Sequence, residues 1–242
     1  MHIDPQALSR SLEGLGSTDM GTIPVEAALE RVVEAARELF AVGVGLMLVD
    51  DDGALRYVLG SDPPAQALEQ AQEDLIEGPC VDSFVLGAPV RTDDLIEDPR
   101  WPRLGARLAG TGVHAVLGVP TRLGGAPAGS LNVYREAPYA WDDSDEAAIA
   151  VYAGIVEGVL AGAVATRRGE RIVAQLQEAL DRRVVIERAV GLLMARLDTD
   201  AVGAFGSLRR AARSSRRRVA DVAEDVLAGS ELPTPAPDHG GG

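Results

Sequence analysis

Six arginines fall within ten consecutive positions: Arg209, Arg210, Arg213, Arg216, Arg217 and Arg218, in the stretch LRRAARSSRRRVADVA at 208–223. A guanidinium is a permanent cation with forked donors that match phosphate oxygens. Such a cluster is suited to holding a polyanion rather than to making or breaking bonds. The chain has 23 arginines and no lysine, so arginine alone is weak evidence; its distribution carries more. Residues 1–166 hold 10 Arg against 26 Asp and Glu, a net of −16, whereas residues 167–229 hold 13 Arg against 9 acids, a net of +4. The whole chain carries −14. Two stretches of opposite sign read as two modules with different partners.

Other chemistry is sparse. Cys80 is the only cysteine, which excludes an internal disulfide, and the three histidines, His2, His114 and His239, are not clustered. No P-loop, HExxH, CxxC or GxSxG pattern occurs. The expectation is a non-enzyme with no metal and no cofactor. Cys80 reads as a buried structural thiol, His114 as a structural strand residue, and Trp101 and Trp141 as packing anchors.

The elements that must position the arginines follow from periodicity. Residues 1–23 are rich in glycine and polar residues and read as a loose arm, with a short helix near Leu8–Leu15. An amphipathic helix follows Pro24. Two apolar runs flank Asp51-Asp52-Gly53, a hairpin signal. Helices are expected at 63–74 and after Pro102, and 76–89 reads as loop. Further strands are expected at 89–91, near 113–123 and near 127–136, the last two joined through Gly124-Gly125. This is an α+β pattern, helices flanking an antiparallel sheet. The stretch 147–165 is apolar but interrupted by Glu157, and the first residues lack the layout of a signal peptide, so a cytoplasmic protein without a membrane partner is expected.

From Ser144 a long helix is expected, with one break at Gly169. Ile172, Leu176, Ala179, Arg183, Ile186, Val190 and Leu193 step by four and three, a heptad seam containing one arginine. Such a seam fits a parallel homodimer, the alternative being a helix packed on its own domain. Asp200 then caps a helix to about Arg213, with Ala201, Ala204, Phe205, Leu208 and Ala212 on one side and Arg209, Arg210 and Arg213 fanning away together. Ser215 is expected to cap a third helix from Arg216, whose first turn Arg216, Arg217 and Arg218 would crowd. Cations there oppose the helix dipole, which argues for an anionic partner at that turn. The last residues, PTPAPDHGGG, read as a disordered tail.

Several stretches resemble known families. IEGPC at 76–80, DDLIEDPRWP at 93–102, GVHAVLGVP at 112–120 and AGSLNVYREAPYAW at 128–141 are similar to GAF domains of the actinobacterial sensor type. LQEALDRRVVIERAVGLLMAR, DAVGAF and LRRAARSSRRRVADVAEDVL, within 176–227, are similar to an ANTAR domain. The order and spacing are those of GAF–ANTAR transcription antitermination regulators. The resemblance implies an arm at 1–23, an α+β GAF sensor domain at 24–165, a linker helix of coiled-coil character leading into an all-α three-helix ANTAR domain at 166–229, and a tail at 230–242. It also implies a homodimer that binds two hairpins in nascent RNA through the arginines, under a small-molecule signal at the GAF domain. Val190 stands where the ANTAR pattern often has Lys, and Arg216 where it often has Asn. A DNA-binding regulator and a protein-interaction adaptor are the competing readings.

Overall fold

A computed structural model describes residues 3–16, 19–50, 55–166 and 170–232, without the side chains of 57, 58, 170–173, 175, 176, 180 and 181. Five strands form one antiparallel sheet: β1 (Gly43–Val49), β2 (Leu55–Gly60), β3 (Val90–Thr92), β4 (Ala115–Leu123) and β5 (Ala126–Arg135), in the order β2-β1-β5-β4-β3. β1 is buried at every position, so both faces of the sheet are covered. Gly124 and Gly125, both at positive φ, make the β4–β5 turn. The Asp51-Asp52-Gly53 turn lies outside the described residues, but the strands on either side pair as expected.

Helices α2 (Val25–Phe40) and α6 (Asp143–Thr166) pack on each other and on the sheet. α6 is long and apolar enough by length and composition to cross a membrane. Here it buries Ile149, Tyr152, Val156 and Leu160 in the core. Asp142 caps it, its Oδ1 accepting from the Ser144 and Asp145 amides. The helix expected near Leu8–Leu15 is present and longer, and it is docked rather than part of a loose arm. Helix α1 (Pro5–Gly16) packs on α2, with Leu15 buried and Leu8 and Leu12 half-buried, and the Tyr152 hydroxyl bonds Ser11 Oγ at 2.6 Å. The leucine spacing supplies the apolar stripe that docks it.

Helices α3 (Pro63–Leu75), α4 (Pro79–Leu86) and α5 (Pro102–Leu108) form the second group on the sheet. α4 occupies the stretch expected to be loop. Its marks are Pro79 at the first helical position and Gly87 just past the end at φ 63°. At eight residues its period was too short to read.

Beneath α3 and α4 lies a closed polar cluster. Glu69 Oε1 accepts from Asn132 Nδ2 at 2.9 Å and Glu69 Oε2 accepts from Gln72 Nε2 at 3.2 Å. Gln72 Oε1 accepts from the Cys80 amide, and Ser130 Oγ bonds Asn132. Gly45 makes room for it, since a Cβ there would lie 2.0 Å from the Glu69 carboxyl. Cys80 is buried, as expected, and burial pushes its thiol pKa up. Burial also pushes Glu69 up to about 7, against the opposing effect of its hydrogen bonds.

The C-terminal helices α7 (Glu170–Leu197), α8 (Ala201–Ser215) and α9 (Val219–Leu227) pack against one another. Asp200 caps α8 as expected, its Oδ1 accepting from the Gly203 amide at 2.8 Å. α6 is described as far as Thr166 and α7 from Glu170, so the expected break at Gly169 lies outside the described residues, as do the side chains of Ile172 and Leu176 and the tail from 233. Ala179, Ile186 and Leu193 of the expected dimer seam are buried within the chain's own core, and Val190 is half-buried against it. The described part of the seam, from Ala179 to Leu193, therefore packs inside the chain. Arg183 shows why one cation sits in the stripe: its guanidinium lies 5.0 Å from the Phe84 ring centre, and Nη1 donates to the Pro127 carbonyl.

Glu69 gives this fold a pH signature. Its folded pKa lies above its ordinary value of 4.5, so the folded state holds a proton that the unfolded state releases, and stability falls as pH rises from about 4.5 to about 7. Glu69→Gln is expected to flatten that slope and to stabilise the protein at pH 8 by on the order of 2 kcal/mol. Urea denaturation at pH 5, 6, 7 and 8 measures both effects; an equal slope in the variant would rule out Glu69 as its source.

Candidate nucleic-acid interface

The six arginines do not form one face. α8 continues two residues beyond Arg213 because the Ser214 and Ser215 hydroxyls bond back to the Ala211 and Ala212 carbonyls. It ends at Arg216, which adopts the left-handed conformation at φ 53°, ψ 39°, while its amide closes the last turn. α9 begins only at Val219, with Arg218 at its N-cap and no side-chain cap bond. Arg216, Arg217 and Arg218 thus form the link between helices rather than the first turn of the third. The expected conflict with the helix dipole does not arise, since the first turn of α9 contains Asp221.

The core stripes match their expected residues: Ala204, Phe205, Leu208 and Ala212 on α8, and Val219, Val222, Ala223 and Val226 on α9 are buried. The fan of Arg209, Arg210 and Arg213 is split. Arg209 is only 8% exposed, with its Cζ 5.9 Å from the Phe205 ring centre. Arg213 donates from Nη1 to the Asp74 carbonyl at 2.8 Å, in the last turn of α3, where a cation complements the helix dipole. Arg210 faces solvent on the far side, bonding only Ser207 of its own helix among the contacts described, and Arg213 is exposed as well although its Nη1 is tied to α3. Arg217 pairs with Asp225, and Arg218 with Glu178 of α7 at 3.2 Å. The exposed arginines that the sensor does not hold are therefore Arg210, Arg216, Arg217 and Arg218, around the α8–α9 turn.

Arg209 is turned inward, and Arg213 is tied to α3, because the sensor packs there. The Phe84 and Phe205 rings meet edge-on at 6.2 Å, joining α4 to α8. Beside them a cavity of about 100 Å³ is lined by Val49, Phe84 and Pro127 of the sensor and by Ile186, Val190 and Phe205 of the helices. A helical wheel of α8 alone places Arg209 outside the core, because the wheel omits the neighbouring domain. Burial without a carboxylate partner lowers the Arg209 pKa to about 10, chiefly by desolvation and further by the nearby Arg56 and Arg213.

His114 stands one residue before β4 rather than within a strand, with its ring Nδ1 3.0 Å from Asp94 Oδ1. Trp101 and Trp141 are buried, their indole N–H groups donating to Asp82 Oδ2 and the Thr92 carbonyl.

The left-handed backbone at Arg216 is one that Asn enters at lower cost than Arg. Arg216→Asn is expected to raise stability by about 0.5–1 kcal/mol. Chemical denaturation of the two proteins side by side measures this, and a loss of stability would show that the Arg216 side chain outweighs its backbone.

With this geometry in place, comparison with known proteins assigns the two halves. A family model described as GAF domain matches residues 24–160, and one described as ANTAR domain matches residues 174–227. No curated protein matches the chain. Among solved structures, the chain is similar to the GAF domain of a phosphoenolpyruvate-protein phosphotransferase from Coxiella burnetii, at 20% identity and a TM-score of 0.52, over 66% of this chain and 94% of that one. It is also similar to the GAF domain of the corresponding Acinetobacter protein, at 17% identity and a TM-score of 0.48, over 66% and 94%. A third is free methionine-R-sulfoxide reductase from Neisseria meningitidis, at 19% identity and a TM-score of 0.49, over 65% and 86%. The chain belongs to the GAF domain family and carries an ANTAR domain in its C-terminal helices.

Proposed function

We propose that this protein is a signal-responsive RNA-binding regulator that promotes transcription antitermination by gripping paired hairpins in nascent RNA. The observation that carries the reading is a GAF domain packed directly against an ANTAR domain whose α8–α9 turn presents four exposed arginines. Charge supports it: residues 1–166 carry −16 and repel RNA, while residues 167–229 carry +4, which restricts where a polyanion docks. The only aromatic side chain in the C-terminal helices, Phe205, is buried against Phe84, so base stacking is not the mode of binding. Shape and phosphate contacts to folded RNA suit this surface better. A cytoplasmic setting, where transcripts form, belongs to the same reading.

A signal reaches the RNA module by altering the packing of α8 on α3 and α4. In the docked arrangement Arg209 is buried and Arg213 is engaged by α3, and undocking adds them to the open four. The small-molecule signal at the GAF domain is part of this proposal.

A homodimer is also proposed, through a surface other than the filled seam. The outer face of α6 leaves Val151 exposed, and Gly154, Gly158 and Gly162 open onto free space, forming an apolar strip free to meet a second copy. Sedimentation velocity tests it: Gly158→Arg is expected to give a monomer, and a wild-type protein that sediments as a monomer would remove the dimer from the reading.

The RNA surface is tested by replacing Arg210, Arg216 and Arg218 together with Ala. Affinity for a two-hairpin RNA is expected to fall at least about tenfold at low salt, and the slope of log K against log salt to shrink by about 2. Unchanged affinity and slope would exclude this surface, and efficient displacement of the RNA by duplex DNA would favour a DNA-binding regulator.

A further inference from the structure

The junction between sensor and helices holds a second cationic feature, which shares Arg217 with the exposed turn. Arg56 of β2, Arg209 and Arg213 of α8, and Arg217 beside α9 line one cavity of about 120 Å³, together with Glu73, Ile76, Ala212 and Val219. Arg56 is satisfied: its Nε donates to Asp50 at 2.6 Å and its Nη1 to Glu73 at 2.7 Å. Arg217 pairs with Asp225, and its Nη2 donates to the Asp221 carbonyl. Arg213 reaches only the Asp74 carbonyl, and Arg209 only the Phe205 ring, among the contacts described. The Nη1 of Arg209 is buried without a hydrogen-bond partner among the described residues.

That combination is costly by itself. A buried charged donor without an acceptor carries a desolvation penalty that its neighbours normally repay. Here two of its nearest charged neighbours, Arg56 and Arg213, repel it. Glu73 and Asp50 offset this in part but are committed to Arg56. Two guanidinium groups thus converge on one opening without a carboxylate partner of their own, and guanidinium forks fit phosphate oxygens two at a time.

We propose that this junction cavity is a binding site for a small phosphorylated molecule, clamped between Arg56 of the sensor and Arg209 and Arg213 of the ANTAR domain. The anion supplies the missing counter-charge to Arg209 and ties the two domains together. Because it binds the docked arrangement, it stabilises that arrangement by mass action. It also holds Arg209 and Arg213 away from any other polyanion. Inorganic pyrophosphate is the minimal probe of this chemistry.

Thermal unfolding of the full chain tests the site without RNA, so its outcome is independent of the RNA-binding reading. At pyrophosphate ten times its Kd the midpoint is expected to rise by about 3 °C above a potassium chloride control of equal ionic strength. Arg209→Met removes the cluster's unpaired charge while keeping an apolar stem against Phe205, and it abolishes the rise. Arg213→Ala, at an exposed position, weakens the rise and serves as the second variant should Arg209→Met fold poorly. Arg210→Ala, outside the cavity, leaves it intact. No rise above the salt control in the wild type overturns the proposal. So does a rise that survives both cavity variants, or one produced by a short oligoribonucleotide and not by pyrophosphate.

Discussion

Phe205 lies edge-on to Phe84, and through that contact the apolar core of the C-terminal helices runs into the core of the sensor. Much else in the molecule follows from this junction. Once α8 rests on α4, the flank of α8 one residue beyond Phe205 turns three residues later toward α3, which places Arg213 at the Asp74 carbonyl and buries Arg209. The same docking brings α7 across the start of β5, so Arg183 bridges Phe84 and the Pro127 carbonyl. Apolar burial supplies the attraction, and the arginines at its rim set how tightly the domains close.

The junction also decides what α7 can do. A heptad stripe is a statement about one helix face and not about what covers it. Ile172 to Leu193 repeats as a coiled-coil seam would, yet Ala179, Ile186 and Leu193 pack inside the chain. The single arginine in the stripe was the available clue, because Arg183 in a dimer seam would face its own copy, whereas at a domain boundary it finds a carbonyl and a ring face.

The sequence was most legible where structure is local. Five strands, the Asp200 cap, the glycine turn of the β4–β5 hairpin and the core stripes of α8 and α9 were all readable from neighbours a few positions apart. What escaped depends on distant partners or on small energy differences. α4 is too short to show a period, and only its Pro79 and Gly87 mark it. The third helix starts at Val219 rather than Arg216 because two serine hydroxyls bond backward, a competition that residue types alone do not decide. The placement of Arg209 is fully non-local, since nothing within ten residues of it predicts a sensor domain against its side.

Positive charge in this chain therefore has two physical roles in one short stretch. Arginines around the α8–α9 turn remain hydrated, where screening keeps each contact weak and additive and suits a long polyanion met from solution. Arg209, one helical turn away from Arg213, sits where desolvation makes every interaction larger, favourable or not. A group of that second kind is a sensitive control point: a modest change in its surroundings alters the balance between docked and undocked domains far more than any exposed arginine does. A cluster that sequence shows as a uniform basic run is, in three dimensions, a set of exposed arginines around the α8–α9 turn and one buried cation at the domain junction.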